Sequence, residues 1–287
     1  MTIAVILVVV NGDERDSAVL ETALSVGRHT DAHLRVLHVR NDPADWMVLT
    51  PPESAGFSQE IMAYAEREIA ERAQRARAEF DSWQRRHDLV LTASPPSHHS
   101  VSAEWLECTG AVYRVVAEEG QRADIVILAA QPKTQKERAF DAFEGALMDS
   151  GRPVLLVPAW VPAELLARPM IAWKPSREAA HAVSAALPLL KYADKVDVFA
   201  ADDGEMRSAG AGALVDLLGW HGIAATEAAI TPGAKTVGEA LLAEANRHSS
   251  TLLVLGGYGH SRVREMVFGG VTAHVLDYAD IPVLMAH

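Results

Sequence analysis

The stretch "TLLVLGG", residues 251–257, runs four apolar residues together and stops on two glycines. A short apolar run closed by a turn signal marks a strand buried on both faces of a parallel sheet. The same pattern stands 127 residues earlier as "DIVILAA", residues 124–130, with Ile125–Leu128 opposite Leu252–Leu255. Farther along, "RPVLLVP" (152–158) matches "IPVLMAH" (281–287) at an offset of about 129. Three more runs complete the first set: "IAVILVVV" (3–10), "HLRVLHV" (33–39) and "LVLTA" (89–93). The second set is completed by "MIAW" (170–173), "KVDVFAA" (195–201) and "ATEAAI" (224–230). Helical stretches separate the runs in both sets. The spacing predicts an α/β chain of two tandem doubly wound domains, each with a five-stranded parallel sheet, related by a pseudo-two-fold.

The two copies differ in length. Asn11 aligns with Lys174 at an offset of 163 against 127 at the fourth strands, so the first copy is about 36 residues longer. The excess falls in 41–87, a Pro-rich loop followed by a charged helix over about 58–87. That helix reads most simply as a solvated surface element laced by i,i+4 ion pairs. Residues 1–158 are expected to form the first domain, 159–168 ("AWVPAELLAR") a linker, and 169–287 the second domain.

Bulk properties narrow the function. The 287 residues are 49% hydrophobic and 22% charged, the profile of an ordinary globular protein. A formal charge of −12 argues against a nucleic-acid footprint and against anionic membranes. Cys108 is the single cysteine, so an intrachain disulfide is excluded and a reducing, cytoplasmic setting is expected. The apolar start, residues 3–10, lacks a basic leader and is too short to span a bilayer. It reads as the first strand.

Gly256 and Gly257 close the fourth strand of the second copy, at the carboxyl edge where open α/β sheets bind ligands. Glycine there is expected to serve a positive φ or a close approach of backbone to ligand. Residues 261–268 read as helix, Gly269 and Gly270 follow, and "VTAHVLDYA" (271–279) continues as helix. Unpaired N–H groups at Gly270, Val271 and Thr272 would attract phosphate oxygens. The first copy has Ala129 and Pro132 opposite Gly256 and Gly259, and proline supplies no N–H. The first copy is therefore expected to have lost its phosphate loop, leaving at most one such loop per chain.

The spacing Gly256-x2-Gly259-x9-Gly269 resembles the ATP-binding signature of the universal stress protein family. The resemblance covers both halves, including the strand-to-turn opening "AWKPSREAAHAV" (172–183), and the whole chain resembles a tandem, two-domain member. It implies an adenine nucleotide, ATP or AMP, with Mg as its companion ion, held by the second copy. The implied nucleotide-binding residues are Ala172, Trp173, Lys174, Leu255, Gly256, Gly259, His260, Ser261, Gly269, Gly270, Val271 and Thr272. Two positions depart from the family pattern: Gly270 replaces a Ser or Thr, and Lys174 stands where an Asp is usual, with Asn11 there in the first copy. Lys174 would meet phosphate as a point charge. The resemblance implies a cytoplasmic stress-response regulator, with protein partners and a homodimer in view, and not a metabolic enzyme beyond a slow ATPase. The alternative is a nucleotide-free scaffold whose glycine loop is a relic.

Other features carry plainer readings. His98 and His99 in "PPSHHS" (95–100) lack a third ligand at metal spacing and read as a solvated loop. Cys108 reads as a small buried residue. No catalytic triad or paired carboxylates stand out.

Overall fold

The computed structural model describes residues 2–42, 58–94, 100–130, 141–201, 210–230, 235–257 and 270–287. In the first half β1 (Val5–Val10), α1 (Asp16–Thr30) and β2 (His33–Arg40) are followed by α2 (Ser58–Arg86), β3 (Val90–Leu91), β4 (Ser102–Thr109), α3 (Val112–Gly120) and β5 (Ile125–Ala129). A π-helical segment, Gly145–Asp149, then leads to β6 (Val154–Val157). The second half contains β7 (Pro169–Trp173), α4 (Arg177–Leu190), β8 (Val196–Ala201), α5 (Ala211–Trp220) and β9 (Ala225–Ile230). It ends with α6 (Val237–Arg247), β10 (Leu252–Gly256), α7 (Gly270–Tyr278) and β11 (Val283–Ala286).

All of these strands lie in one sheet, in the order β3-β4-β2-β1-β5-β6-β11-β10-β7-β8-β9. Within each half the pairing is parallel, and the one antiparallel pair among the described residues is β6 with β11. Leu155 faces Leu284 in that pair, and the offset of 129 makes these two residues counterparts. A pseudo-two-fold therefore passes between them. The expected tandem α/β architecture is present, with two differences in the first half.

The first difference is the third strand. Residues 89–93 supply only the two-residue β3, and the long strand is β4, which the apolar runs do not reveal. Its two glutamates hide the pattern. They are accommodated because Arg35 Nε donates to Glu104 at 2.7 Å and Arg40 Nη1 donates to Glu107 at 3.3 Å from the neighbouring β2. Among its described residues the half therefore has six strands.

The second difference is α2. Its bounds match the expectation, and Arg72–Glu68, Arg75–Glu71 and Arg77–Asp81 form the foreseen i,i+4 pairs. It is no free surface helix, however: Phe80 and Trp83 are fully buried, and Ala65, Ile69, Ala73 and Ala76 line the same face. Phe80 lies 5.2 Å from Trp105 of β4, and the Arg77 guanidinium caps both rings.

Two continuous apolar layers sandwich the sheet. One holds residues of α1, α2, α4 and α5; the other holds residues of α3, segment 141–149, α6 and α7. Both layers run through the junction of the halves. Cys108 is part-buried on the second layer, and burial raises its thiol above the usual range.

Candidate functional site

Each half has one point where its strand order reverses. It lies between β1 and β5 in the first half and between β7 and β10 in the second. α1 and α4 leave from β1 and β7 on one face, while α3 and α6 feed β5 and β10 from the other. At such points open α/β sheets place a ligand crevice outside the strand C-termini.

In the first half the chain's own groups fill this crevice. The backbone N–H groups of Asn11 and Gly12 donate to the Asp16 carboxylate at 2.8 and 2.7 Å. Arg15 Nη1 donates to the Ala130 carbonyl at 3.3 Å, bridging the ends of β1 and β5. Gly12 adopts φ +74, and a Cβ there would lie 2.2 Å from the Arg72 carbonyl oxygen of α2. Arg75 Nε donates to the Gly12 carbonyl at 2.9 Å. Burial lifts the Asp16 carboxyl to about 6, opposed by its backbone donors and assisted by the nearby Asp13 charge. His38, at the end of β2, is buried and stacked on Trp105, with Nδ1 at 3.0 Å from the Val10 carbonyl oxygen. Burial holds its imidazole below the usual range.

Among the described residues, the second half lacks the counterparts of the Asp16 and Gly12 plug. Asp16 corresponds to Ala179 at the offset of 163, and Gly12 to Pro175. Ala172 and Leu255 are register partners on β7 and β10, which brings the strand-end residues of the expected site side by side. Lys174 follows β7 and is exposed. Trp173 turns to the α4–α5 layer instead: its Nε1 lies 2.9 Å from the Cβ position of Gly210 and has no partner among the described residues. Ser176 caps α4 by accepting from the Ala179 N–H at 3.1 Å. Gly270 opens α7, with Val271 and Thr272 in its first turn, and no described residue lies within 4 Å of a Cβ at Gly270. Gly259, His260, Ser261 and Gly269, with the helix expected over 261–268, lie outside the described residues, as do His98 and His99.

Gly256 is glycine for a reason its sequence context does not announce. Its φ is not positive, and a Cβ would sit 2.5 Å from Ala179 N and 2.7 Å from Glu178 C. The close approach is to the backbone of α4, so the glycine permits helix packing on the strand end. Gly256→Ala is expected to cost about 2 kcal/mol, because backbone cannot yield as a flexible side chain would. Gly270→Ala, with open space around it, should leave stability within about 0.5 kcal/mol. Urea denaturation of the two variants checks the contrast, and equal effects would contradict it.

The universal stress protein family model matches residues 3–158 and again 125–287. Among solved structures, the chain is similar to a universal stress protein from Archaeoglobus fulgidus DSM 4304, with 19% identity, 98% of this chain and 95% of that one covered, and a TM-score of 0.66. It is also similar to a putative universal stress protein from Pseudomonas aeruginosa UCBPP-PA14, with 17% identity, coverage of 98% and 92%, and a TM-score of 0.54. No match to a curated protein was found. With two family matches along one chain, and two copies of one strand order joined about a pseudo-two-fold, the protein belongs to the universal stress protein family and is a tandem member of it.

Proposed function

We propose that this universal stress protein is a cytoplasmic stress-response regulator that binds one adenine nucleotide per chain, ATP or AMP, in its second half. One observation carries the proposal. The glycine spacing starts at the last residue of β10, Gly256, beside the strand-order reversal between β7 and β10, and its last member, Gly269, directly precedes Gly270, where α7 begins. A loop from a strand end to a helix start presents backbone N–H groups to phosphate. Lys174 adds a positive charge at the same edge. Among the described residues no acidic cluster could hold a metal, so Mg would ride on the phosphates with water as its other ligands. No helix among the described residues is long and apolar enough to cross a membrane. The first half, plugged by Asp16, Arg15 and α2, is left without a nucleotide and serves as a structural partner.

Calorimetric titration with ATP, AMP and adenosine tests this. We expect a stoichiometry of one. Gly259→Val should abolish binding while the fold survives, and Ser261→Ala should cost far less. Lys174→Ala should weaken ATP more than adenosine. Gly270→Ser adds a hydroxyl donor where no described residue is in the way and should tighten ATP by roughly twofold to tenfold, the worth of one net hydrogen bond. A wild type that binds none of the three ligands would favour the scaffold alternative, with its protein partners or a second copy of the chain. The packing reason for Gly256 already gives that alternative a foothold.

A further inference from the structure

The two outer edges of the sheet are finished differently. At the first-half edge stands β3, only two residues long. At the other edge stands β9, paired with β8 over six consecutive residues, Ala225–Ile230, with no bulge and no proline. Its outer side has no strand partner among the described residues. Edge strands of this length are normally blunted by charge, proline or a bulge, and β9 carries Glu227 alone.

The ladder fixes which backbone groups point outward. Val196 N–H donates to the Ala224 carbonyl at 2.9 Å, so the N–H and C=O of Ala224 face β8. Successive residues of a strand turn these groups to opposite sides. Thr226, Ala228 and Ile230 therefore also face β8, and Ala225, Glu227 and Ala229 present theirs outward.

A second β9 completes this row. Opposed residues of a continuous sheet share a face, as Leu155 and Leu284 do at the β6–β11 junction. In β9, Ala225 packs on one apolar layer, and Ala228 and Ile230 on the other. Odd positions must therefore meet odd ones. Two two-fold registers then overlap five residues of β9, one centred on Glu227 and one on Ala228. The first sets two like charges directly opposite each other, which is unfavourable. The second sets Glu227 opposite Ala229 on both sides of the axis, giving four N–H···O=C bonds, and Thr226 opposite Ile230.

We infer that β9 is a docking edge for a second copy of this chain, the two β9 strands pairing antiparallel about a two-fold at Ala228. The contact is isologous, so it closes at a dimer and joins two eleven-stranded sheets into one. A single strand pair buries little surface, which sets a micromolar rather than a nanomolar affinity. The pairing does not depend on any nucleotide.

Sedimentation velocity of the full chain over about 1–100 μM should show a monomer–dimer equilibrium. Glu227→Pro removes an outward N–H from each copy, and proline is tolerated where an edge N–H faces away from the sheet. The variant should keep its circular dichroism and dimerise at least about tenfold more weakly. Cysteine cross-linking tests the register in a Cys108→Ser background, which removes the single native thiol. Opposed Ala228 residues form a non-hydrogen-bonded pair with Cα atoms about 4.5 Å apart, within disulfide reach. Ala228→Cys should therefore oxidise to a covalent dimer, and Glu227→Cys at least about tenfold less, because its own copy lies diagonally across. A wild type that stays monomeric, or a dimer undisturbed by a folded Glu227→Pro, would overturn the inference. So would Glu227→Cys cross-linking as readily as Ala228→Cys. Should Glu227→Pro fail to fold, the cysteine pair decides.

Discussion

Gly12→Ala is expected to destabilise the protein by about 2–5 kcal/mol, because a left-handed L-residue costs about 1–2 kcal/mol and overpacking about 1–3 kcal/mol. Gly12 has φ +74, and the new methyl would stand 2.2 Å from the Arg72 carbonyl oxygen and 2.9 Å from Arg72 Cα. The neighbour is helix backbone, so α2 must lift as a body or the loop after β1 must rebuild. Either movement breaks the Arg75 bond to the Gly12 carbonyl and disturbs the two N–H groups held by Asp16. Gly222 supplies the control: it shares φ +74 but has nothing within 4 Å of its Cβ position. Gly222→Ala should therefore show the conformational cost alone, about 1–2 kcal/mol. Urea unfolding of both variants gives the comparison. Equal losses would mean that α2 does not close over the first-half crevice.

The second large effect is one of pH. Asp16 is 1% exposed and its carboxyl is lifted from 3.8 to about 6 by burial. A raised carboxyl pKa means that folding disfavours the ionised form. Below about pH 3.8 the group is protonated in both states and contributes nothing; the penalty grows up to about pH 6 and is complete above it. Its upper limit is about 3 kcal/mol. Asn cannot ionise, so the stability of Asp16→Asn relative to wild type should rise by up to about 3 kcal/mol between about pH 4 and pH 7. The absolute gap also contains the cost of turning an amide toward two N–H donors, but that cost does not vary with pH. Taking the difference matters, because burial also holds His33 and His38 below the usual imidazole range. Those histidines favour the folded state at high pH, with the opposite sign, and cancel between variant and wild type. Unfolding free energies at several pH values are the measurement. A gap that stays constant would show that Asp16 titrates as an ordinary carboxylate.

The repeat was legible because strands buried on both faces have no polar face to keep, so Ile125–Leu128 and Leu252–Leu255 print as bare apolar runs. β4 was illegible for the converse reason. Glu104 and Glu107 are matched by Arg35 and Arg40, far back in the sequence, and only the register of β2 with β4 reveals it. The buried face of α2 is written in the sequence beneath its charges: Ala65, Ile69, Ala73, Ala76, Phe80 and Trp83 recur at steps of four and three. At the candidate site the end of β7 was legible from the apolar run 170–173, and the end of β10 and the start of α7 from glycine spacing. The purpose of Gly256 and Gly257 was not. Gly256 accommodates a chain segment remote in sequence, the start of α4, and a side chain on Gly257 would press on Met285 of β11.

The Leu155–Leu284 crossing has the geometry of an isologous contact between identical chains, yet both strands belong to one polypeptide. A tether of this kind gives each half an effective concentration of the other on the order of millimolar, so the pair survives dilution that would dissociate a dimer of untethered chains. It also frees the halves from sameness. In a two-chain assembly every substitution appears twice, and an Asp16 or an Arg15 that fills one crevice fills its twin. In a single gene for both halves, one crevice can close for good while the other keeps its glycines.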